Sequence, residues 1–181
     1  YQLCTQLKNN RKTSHIPIIL LTARASENCV VKGLKTGADD YITKPFNSKI
    51  LCARIDNLIE MRRREQLKRS GSVTEGPLEL NVSSMDEEFF KELVDIIDKN
   101  VSDPEFNVEL LKNMLCMGRT TLYRKVTALT GLSPNKFIRS YRLKRAAKLL
   151  EANYGNVSKV AMEVGFTNMA YFSQCFKEEF N

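Results

Sequence analysis

The chain has 181 residues, enough for one large domain or two small ones. Hydrophobic residues make up 43% and charged residues 27%, a globular composition that excludes a disordered, collagen-like or coiled-coil chain. The net charge is +7, from 28 Lys and Arg against 21 Asp and Glu. No apolar run approaches the roughly 18 residues of a membrane span, so the sequence predicts no transmembrane helix.

The cysteine and histidine content argues against metal binding and catalysis. Five cysteines are scattered without a C-x-x-C pair, and His15 is the only histidine. We therefore predict no metal site and no cofactor. Cysteines of this kind are typical of reduced, buried thiols, which favours a cytoplasmic location. One histidine also removes most routes to Ser-His or Cys-His catalysis, so we predict no catalytic residues and no enzymatic activity.

Charge is distributed unevenly along the second half of the chain. Residues 85–109 include nine acidic and two basic residues, whereas residues 110–150 include ten basic residues and no Asp or Glu. A surface that faces a polyanion requires such a stretch, because carboxylates would repel the phosphates. The pattern favours a nucleic-acid partner over a solvated face that is basic by chance.

The first third of the chain predicts an α/β order of elements. In sequence these are a helix end at 1–9, a buried strand at 16–22, a helix at 26–36, a short strand at 40–43 and a helix from residue 47. Two strands are too few for a complete sheet, so we expect earlier strands upstream of residue 1. The N-terminus has no Met and no signal peptide, which agrees with a piece of a longer protein.

A polar stretch follows this region. Residues 62–77 lack apolar periodicity and include Ser70-Gly71-Ser72 and Gly76-Pro77. We predict a linker over 67–84, between an α/β domain at 1–66 and a helical domain at 85–181. Three consecutive arginines at 62–64 are interpreted as a solvated helix end rather than a nucleic-acid patch.

After the linker every predicted element is a helix, so the fold class is mostly α with a truncated α/β part. Two pairs of short helices, each pair joined by a tight turn, have the helix-turn-helix pattern. Their turns lie at 116–118 and 165–167. A long helix that begins at Ser133-Pro134 and ends near Ala152 joins the two units.

Four motifs carry a specific resemblance. They are Arg119-Thr-Thr-Leu-Tyr-Arg-Lys, Thr130-Gly-Leu-Ser-Pro, Tyr141-Arg-Leu-Lys-Arg-Ala, and Val160-Ala-x-x-Val-Gly-Phe followed by Tyr171-Phe-x-x-x-Phe-Lys. Together they make residues 86–181 resemble the AraC-type DNA-binding domain, which has two helix-turn-helix units joined by a long helix. The chain departs from that family at Gly118, where a Ser cap is usual, and lacks the closing segment after the last helix.

Helical spacing divides the first recognition helix into two faces. Leu122, Val126 and Leu129 are predicted to face the core, which leaves the opposite face for DNA. The resemblance implies that base edges are read by Thr120, Tyr123 and Arg124, and that phosphates are held by Arg119, Thr121 and Lys125. The alternative for Tyr123 is that it packs on the preceding helix.

The second recognition helix is predicted to bury Phe172, Phe176 and Phe180. Its groove-facing residues would be Met169, Ala170, Ser173 and Gln174, a set with little charge. Asn168 is expected to cap this helix. A joining helix of roughly 28 Å suits two recognition helices that enter the major groove about one turn, roughly 34 Å, apart.

Two motifs near the N-terminus resemble the second half of a response-regulator receiver domain. They are Leu20-Leu-Thr-Ala and Gly37-Ala-Asp-Asp-Tyr-Ile-Thr-Lys-Pro-Phe. The resemblance implies that Thr22 and Lys44 contact a phosphoryl group on an upstream aspartate, and that Tyr41 changes rotamer with it. The acidic pair Asp39-Asp40 does not match the metal carboxylates of that family, and the phosphoacceptor is expected upstream of residue 1.

These features predict a sequence-specific DNA-binding transcription regulator, the output part of a phosphorelay two-component system. The resemblance implies three partners: double-stranded DNA, RNA polymerase, and a histidine kinase domain upstream or in trans. It also allows a homodimer, and either a free regulator or the cytoplasmic end of a membrane-tethered hybrid sensor. The alternatives are a basic helical protein-interaction module without sequence-specific DNA binding, an enzyme built on the α/β part, and a basic membrane-surface helix.

Overall fold

The computed structural model describes residues 1–23, 26–71 and 84–180. We call residues 1–71 the α/β segment and residues 84–180 the helical domain. The α/β segment holds α1 (Gln2–Lys8), β1 (Ile19–Thr22), α2 (Glu27–Lys35), β2 (Asp40–Thr43) and α3 (Ser48–Gly71). The helical domain holds α4 (Ser84–Lys99), α5 (Val108–Met114), α6 (Arg119–Thr130), α7 (Pro134–Glu151), α8 (Val157–Glu163) and α9 (Met169–Phe180). The predicted fold class is confirmed.

The two strands of the α/β segment are parallel neighbours. Ile19 pairs with Asp40 and Thr22 with Thr43, so both strands end at the same edge. The first strand starts three residues later than predicted, because Ile16 and Pro17 are exposed and lie outside the ladder. Leu21 is 44% exposed, as a two-stranded sheet without further cover requires.

Asp39 ties the α/β segment together. Its carboxylate accepts hydrogen bonds from Lys8 of α1, from Arg62 of α3 and from the backbone N–H of Ile18. The neighbouring Asp40 accepts two bonds of 2.8 Å from Arg54. Both carboxylates thus pair with cations of the chain itself.

Helix α3 is longer than the sequence pattern indicates. It continues to Gly71, five residues into the predicted linker, and Arg69 is buried. Leu67, Lys68 and Arg69 are good helix formers, whereas Ser70 and Gly71 are poorer ones and stand at the helix end. The segment lacks apolar periodicity because its partner is the polar end of another helix. Residues 72–83 of the predicted linker lie outside the described residues, and its last residue, Ser84, begins α4.

The helical domain has two cores, one for each helix-turn-helix unit. The first includes Phe89, Leu111, Leu122 and Phe137. The second includes Leu143, Val160, Phe166 and Phe172. Helix α7 contributes to both, since Phe137 and Leu143 are each fully buried on it. Local signals set the helix ends: Asn107, Ser133 and Asn156 each accept a backbone N–H at the start of a helix.

Candidate nucleic-acid interface

The first helix-turn-helix unit presents one polar face of α6 to solvent. Leu122, Val126 and Leu129 are at most 1% exposed, as the spacing predicts. On the opposite face Thr120, Arg124 and Thr127 are exposed. Gly118 is the N-cap and offers no side-chain cap, so the first N–H groups of α6 remain open for an acceptor such as a phosphate. The arrangement suits a helix that enters a DNA groove.

Tyr123 has an intermediate position between the two predicted alternatives. Its ring is half-buried against the first core. The hydroxyl lies 3.3 Å from the amide nitrogen of Asn135, and the guanidinium of Arg119 lies 5.8 Å from the ring centroid. Tyr123 therefore packs and also keeps its polar end beside the exposed face.

Arg119 and Thr121 lie at the rim of the exposed face of α6. The side chain of Arg119 is 69% exposed and lies 3.7 Å from the carboxylate of Glu109. A hydrogen bond from Lys112 lowers the pKa of Glu109, so this carboxylate is ionised and offsets part of the charge of Arg119. Thr121 is half-buried beside it. Their role as phosphate contacts stays a prediction.

Lys125 does not occupy the position that was predicted for a phosphate contact. Its side chain is fully buried, and its ammonium lies 2.9 Å from Asp86 of α4. The same ammonium donates to the hydroxyl of Ser14 at 2.8 Å and to the backbone carbonyl of Arg11. Position 125 lies on the flank of α6, where the α/β segment covers it, so Lys125 makes its polar contacts inside the protein.

The second recognition helix, α9, differs from its prediction at both faces. Phe172 and Cys175 are buried and Phe176 is half-buried, but Phe180 is 47% exposed because the last turn extends past the core. Met169 is half-buried against the second core rather than groove-facing. The exposed face is formed by Ala170, Ser173, Gln174 and Lys177.

Lys177 lies on the exposed face of α9 but was not among the residues predicted for that face. It follows Ala170 by seven residues and Ser173 by four, so helical spacing alone places the three side chains on one face. Lys177 is exposed and brings a positive charge to this face. The predicted cap is present, since the side chain of Asn168 accepts the N–H of Tyr171 at 2.9 Å.

Arg142 fixes the two helix-turn-helix units relative to each other. From α7 it donates to the carbonyl of Asp103 at 2.6 Å and to the carbonyl of Gly165 at 3.5 Å, which lie before α5 and after α8. An open cleft of about 540 Å³ lies beside it between the units. The polar lining of this cleft includes Asn107, Asn135, Lys136, Arg139 and Asn168.

The structure brings together two of the three residues that resemble receiver switch positions. The backbone N–H of Lys44 donates to the carbonyl of Thr22 at 2.7 Å, so both residues lie at the shared edge of the two strands. Tyr41 instead faces inward, with its hydroxyl 3.5 Å from that of Tyr1. A Cβ on Gly33 of α2 would lie 2.5 Å from the Tyr41 ring, so glycine makes room for this tyrosine.

Comparison with known proteins finds a separate family model for each part of the chain. The family model for the response regulator receiver domain matches residues 1–56, and that for the helix-turn-helix domain of AraC type matches residues 111–181. The chain joins a receiver domain part to an AraC-type helix-turn-helix domain. Both matches agree with the two resemblances that the sequence motifs carry.

Similar proteins come from several organisms. The chain is 44% identical over 180 residues to histidine kinase P4 of Formosa agariphila, which covers 99% of this chain and 13% of that protein. It is 56% identical over 54 residues to the phosphate regulon transcriptional regulatory protein PhoB of Escherichia coli, covering 30% of this chain and 24% of PhoB. It is 43% identical over 65 residues to hybrid signal transduction histidine kinase D of Dictyostelium discoideum, covering 36% of this chain and 4% of that protein. The chain thus spans a small part of the relatives that it matches.

A solved structure with some similarity is the C-terminal domain of the two-component response regulator yesN from Fusobacterium nucleatum. It has 21% sequence identity and a TM-score of 0.48, and the match covers 52% of this chain and 97% of that one. In the ranges 1–23, 26–71 and 84–180, no helix is both long and apolar enough to cross a membrane. Over the same residues, no three His, Cys, Asp or Glu side chains are grouped so that they can hold a metal ion.

Proposed function

We propose that the chain binds double-stranded DNA sequence-specifically, as the output part of a phosphorelay two-component system. The observation that carries this proposal is the exposed face of α6, where Thr120, Arg124 and Thr127 stand clear of the core within a stretch free of carboxylates. A major groove admits one α-helix, and such a face can meet base edges there. The half-site read by α6 is expected to dominate the sequence preference.

The residues of α6 have distinct proposed roles. Arg124 is long and exposed, and its guanidinium matches the O6 and N7 acceptors of guanine. Thr120 can contact a base through its hydroxyl or methyl group. Arg119 and Thr121, at the start of the helix, would hold phosphates and set the depth of insertion.

The second recognition helix has a weaker proposed role. Ala170 can touch a thymine methyl and Gln174 can bond adenine, while Lys177 would hold a phosphate. Because Arg142 fixes the spacing of the two units, a single chain can present both helices to successive turns of one groove. Between them, the cleft with Lys136 and Arg139 on its wall offers cations to the intervening backbone.

The α/β segment has the regulatory role in this proposal. A histidine kinase domain, upstream or in trans, would phosphorylate an aspartate of the whole protein, and Thr22 and Lys44 would contact the phosphoryl oxygens. The receiver part, predicted as residues 1–66, would extend to the end of α3 at Gly71, and the DNA-binding part, predicted as residues 85–181, would begin with α4 at Ser84. The bound protein would act in the cytoplasm, contact RNA polymerase and bind as a homodimer.

The proposal is tested by selecting duplexes from a random library with the 181-residue chain. Binding of the selected duplex is then measured by fluorescence anisotropy over a salt series, against a scrambled duplex. Arg124→Ala is expected to relax the preference at one base pair, at a cost of about 1–3 kcal/mol. The matched control is Arg145→Ala, which removes the same charge from an exposed site on α7 and should weaken all duplexes equally.

Two outcomes would contradict the proposal. Equal affinity for selected and scrambled duplexes would favour the alternative of a basic protein-interaction module. Equal losses on both duplexes for Arg124→Ala would assign this residue to a phosphate contact instead of a base contact.

A further inference from the structure

The C-terminal end of α6 obtains hydrogen-bond partners from outside the helical domain, in addition to the N–H of Gly131, which donates to the carbonyl of Thr127 at 2.9 Å. The last four carbonyls of any α-helix lack partners within the helix. In α6 the amide of Gln66 donates to the carbonyl of Ala128 at 2.8 Å and lies 3.4 Å from that of Thr127. The guanidinium of Arg69 lies 3.4 Å from the carbonyl of Leu129. Both donors belong to α3, so the α/β segment caps the first recognition helix.

The partial charge at the C-terminal end of α6 is also offset by the α/β segment. A helix C-terminus carries partial negative charge and is stabilised by a cation in its last turn. The last turn of α6 has no basic residue of its own. Arg69 supplies one from α3, where it is buried and its guanidinium stacks 5.6 Å from the ring centroid of Phe90.

A second contact holds the flank of the same helix. Lys125 is anchored by the carbonyl of Arg11 and the hydroxyl of Ser14, both in the α/β segment. The side of α6 that carries Thr120 and Arg124 is left exposed by these contacts. The docked arrangement of the two parts therefore leaves the groove-facing residues open.

We propose that α3 is the positioning element of the first recognition helix: through Gln66 and Arg69 it holds the end of α6 and sets how Thr120 and Arg124 meet the DNA. The docked arrangement is the form that binds DNA, and a movement of α3 within the α/β segment is passed directly to α6. This inference rests on the proposed function and adds to it the route by which the α/β segment controls the half-site read by α6.

The test compares Gln66→Glu with Gln6→Glu in the 181-residue chain. Both variants change the net charge equally, but Gln6 is exposed on α1, whereas Glu at position 66 cannot donate and places a carboxylate at the negative end of α6. Affinity is measured by anisotropy on the selected duplex and on one whose α6 half-site is scrambled. That half-site is the one at which Arg124→Ala loses discrimination.

We expect Gln66→Glu to weaken the selected duplex at least fivefold and the scrambled duplex less than twofold, with Gln6→Glu within twofold on both. Equal behaviour of the two variants would overturn the inference. Equal losses on both duplexes for Gln66→Glu would also overturn it, since general attraction rather than the position of α6 would then have changed. If the unmodified chain selects no sequence, the proposed function fails and the inference fails with it.

A disulfide between α3 and the end of α6 tests whether the docked arrangement is the form that binds DNA, even if Gln66→Glu does not fold. A Cβ on Gly131 would lie 3.6 Å from that of Gln66, within the roughly 3.5–4.5 Å of disulfides. The lock is Gln66→Cys with Gly131→Cys, in a background where the exposed Cys52 and Cys116 are serine. A cysteine at position 131 is strained because φ is +73° there, but the oxidised and reduced forms share this strain and every substitution, so each controls for the other. We expect the oxidised form to bind the selected duplex as tightly as the reduced form or more tightly; a fivefold loss on oxidation would show that docking inhibits binding and would overturn the inference.

Discussion

Replacement of Lys125 by methionine is expected to destabilise the protein strongly, although an isolated lysine on a recognition helix would tolerate the change. Lys125 and Asp86 have side-chain exposures of 0% and 1% and lie 2.9 Å apart. In Lys125→Met the volume is retained, but the Asp86 carboxylate keeps only the hydroxyl of Ser14, at 2.6 Å, as a described partner. Removing one member of a buried pair typically costs about 3–5 kcal/mol.

The expected loss of stability can be measured as a decrease in the melting temperature. In chains of about 150–250 residues, 1 kcal/mol lowers the melting temperature by about 2–4 °C, so Lys125→Met is expected to lower it by about 6–20 °C. Circular dichroism at 222 nm follows the transition. The control is Lys136→Met, an exposed lysine at the start of α7, which should change it by less than about 2 °C.

The double variant with Asp86→Asn separates the pair from other effects. With both charges absent the buried carboxylate no longer needs a counter-ion, so the double variant should be less destabilised than the sum of the two single variants. Additive losses, or a melting temperature of Lys125→Met close to that of the wild type, would refute the buried pair.

Acid sensitivity gives an independent check on Asp86. Burial by itself would raise the pKa of this carboxyl, but hydrogen bonds from Ser14 and Lys125 together with the charge of Lys125 lower it below 3.8. A lowered carboxyl pKa stabilises the fold above the unfolded value, and this stability is lost as the pH falls from about 3.8 through the folded pKa. The wild type should lose stability across that range more steeply than Asp86→Asn.

Two further predictions concern a turn and the single histidine. Gly165→Val should unfold the second helix-turn-helix unit, because Gly165 has φ +78° and a Cβ there would lie 2.7 Å from the carbonyl oxygen of Val101. The control, Gly118→Ser, lies at an open N-cap and should have a melting temperature within a few degrees of the wild type. Equal melting temperatures of the two variants would refute the turn assignment. Burial and the charge of Lys125 lower the pKa of His15 below 6.5, and NMR titration should show this shift. The free energy of unfolding should therefore fall as the pH drops below 6.5 in the wild type but not in His15→Gln. A His15 pKa at or above 6.5 would contradict this prediction.

Much of the helical domain is predictable because its signals are local. Helix starts are indicated by Ser133-Pro134, Asn107 and Asn156. In the structure the side chains of Ser133, Asn107 and Asn156 each cap a helix. Gly131 and Gly165 adopt positive φ at the ends of helices, as glycine permits. These signals span three to five residues, so sequence spacing is sufficient to find them.

The position of Lys125 was not predictable in the same way. Helical spacing places it between the core face and the exposed face of α6, and its sequence neighbours do not reveal which side it joins. The answer depends on Asp86, 39 residues earlier, and on Ser14, 111 residues earlier. A cation beside a core face can pair with a buried anion, but the sequence does not show whether the fold brings such an anion close.

The C-terminal part of α3 was missed for a related reason. An amphipathic helix that buries an apolar stripe is visible in sequence, whereas residues 62–71 bury no such stripe. Gln66 and Arg69 contact backbone carbonyls of α6, and carbonyls leave no trace in a sequence pattern. A polar segment that caps another helix is thus indistinguishable by composition from a linker.

The count of cations in residues 110–150 overstates the charge that can reach DNA. Ten phosphate contacts would give the logarithm of the binding constant a slope of about −9 against the logarithm of salt concentration. Lys125 is neutralised by Asp86, and Arg142 donates to backbone carbonyls, so two of the ten act inside the protein. The contribution of this stretch to the slope should therefore be no steeper than about −7. The two internal cations instead hold α6 against the α/β segment and the two units against each other, so they govern where the remaining charges lie rather than how many phosphates are neutralised.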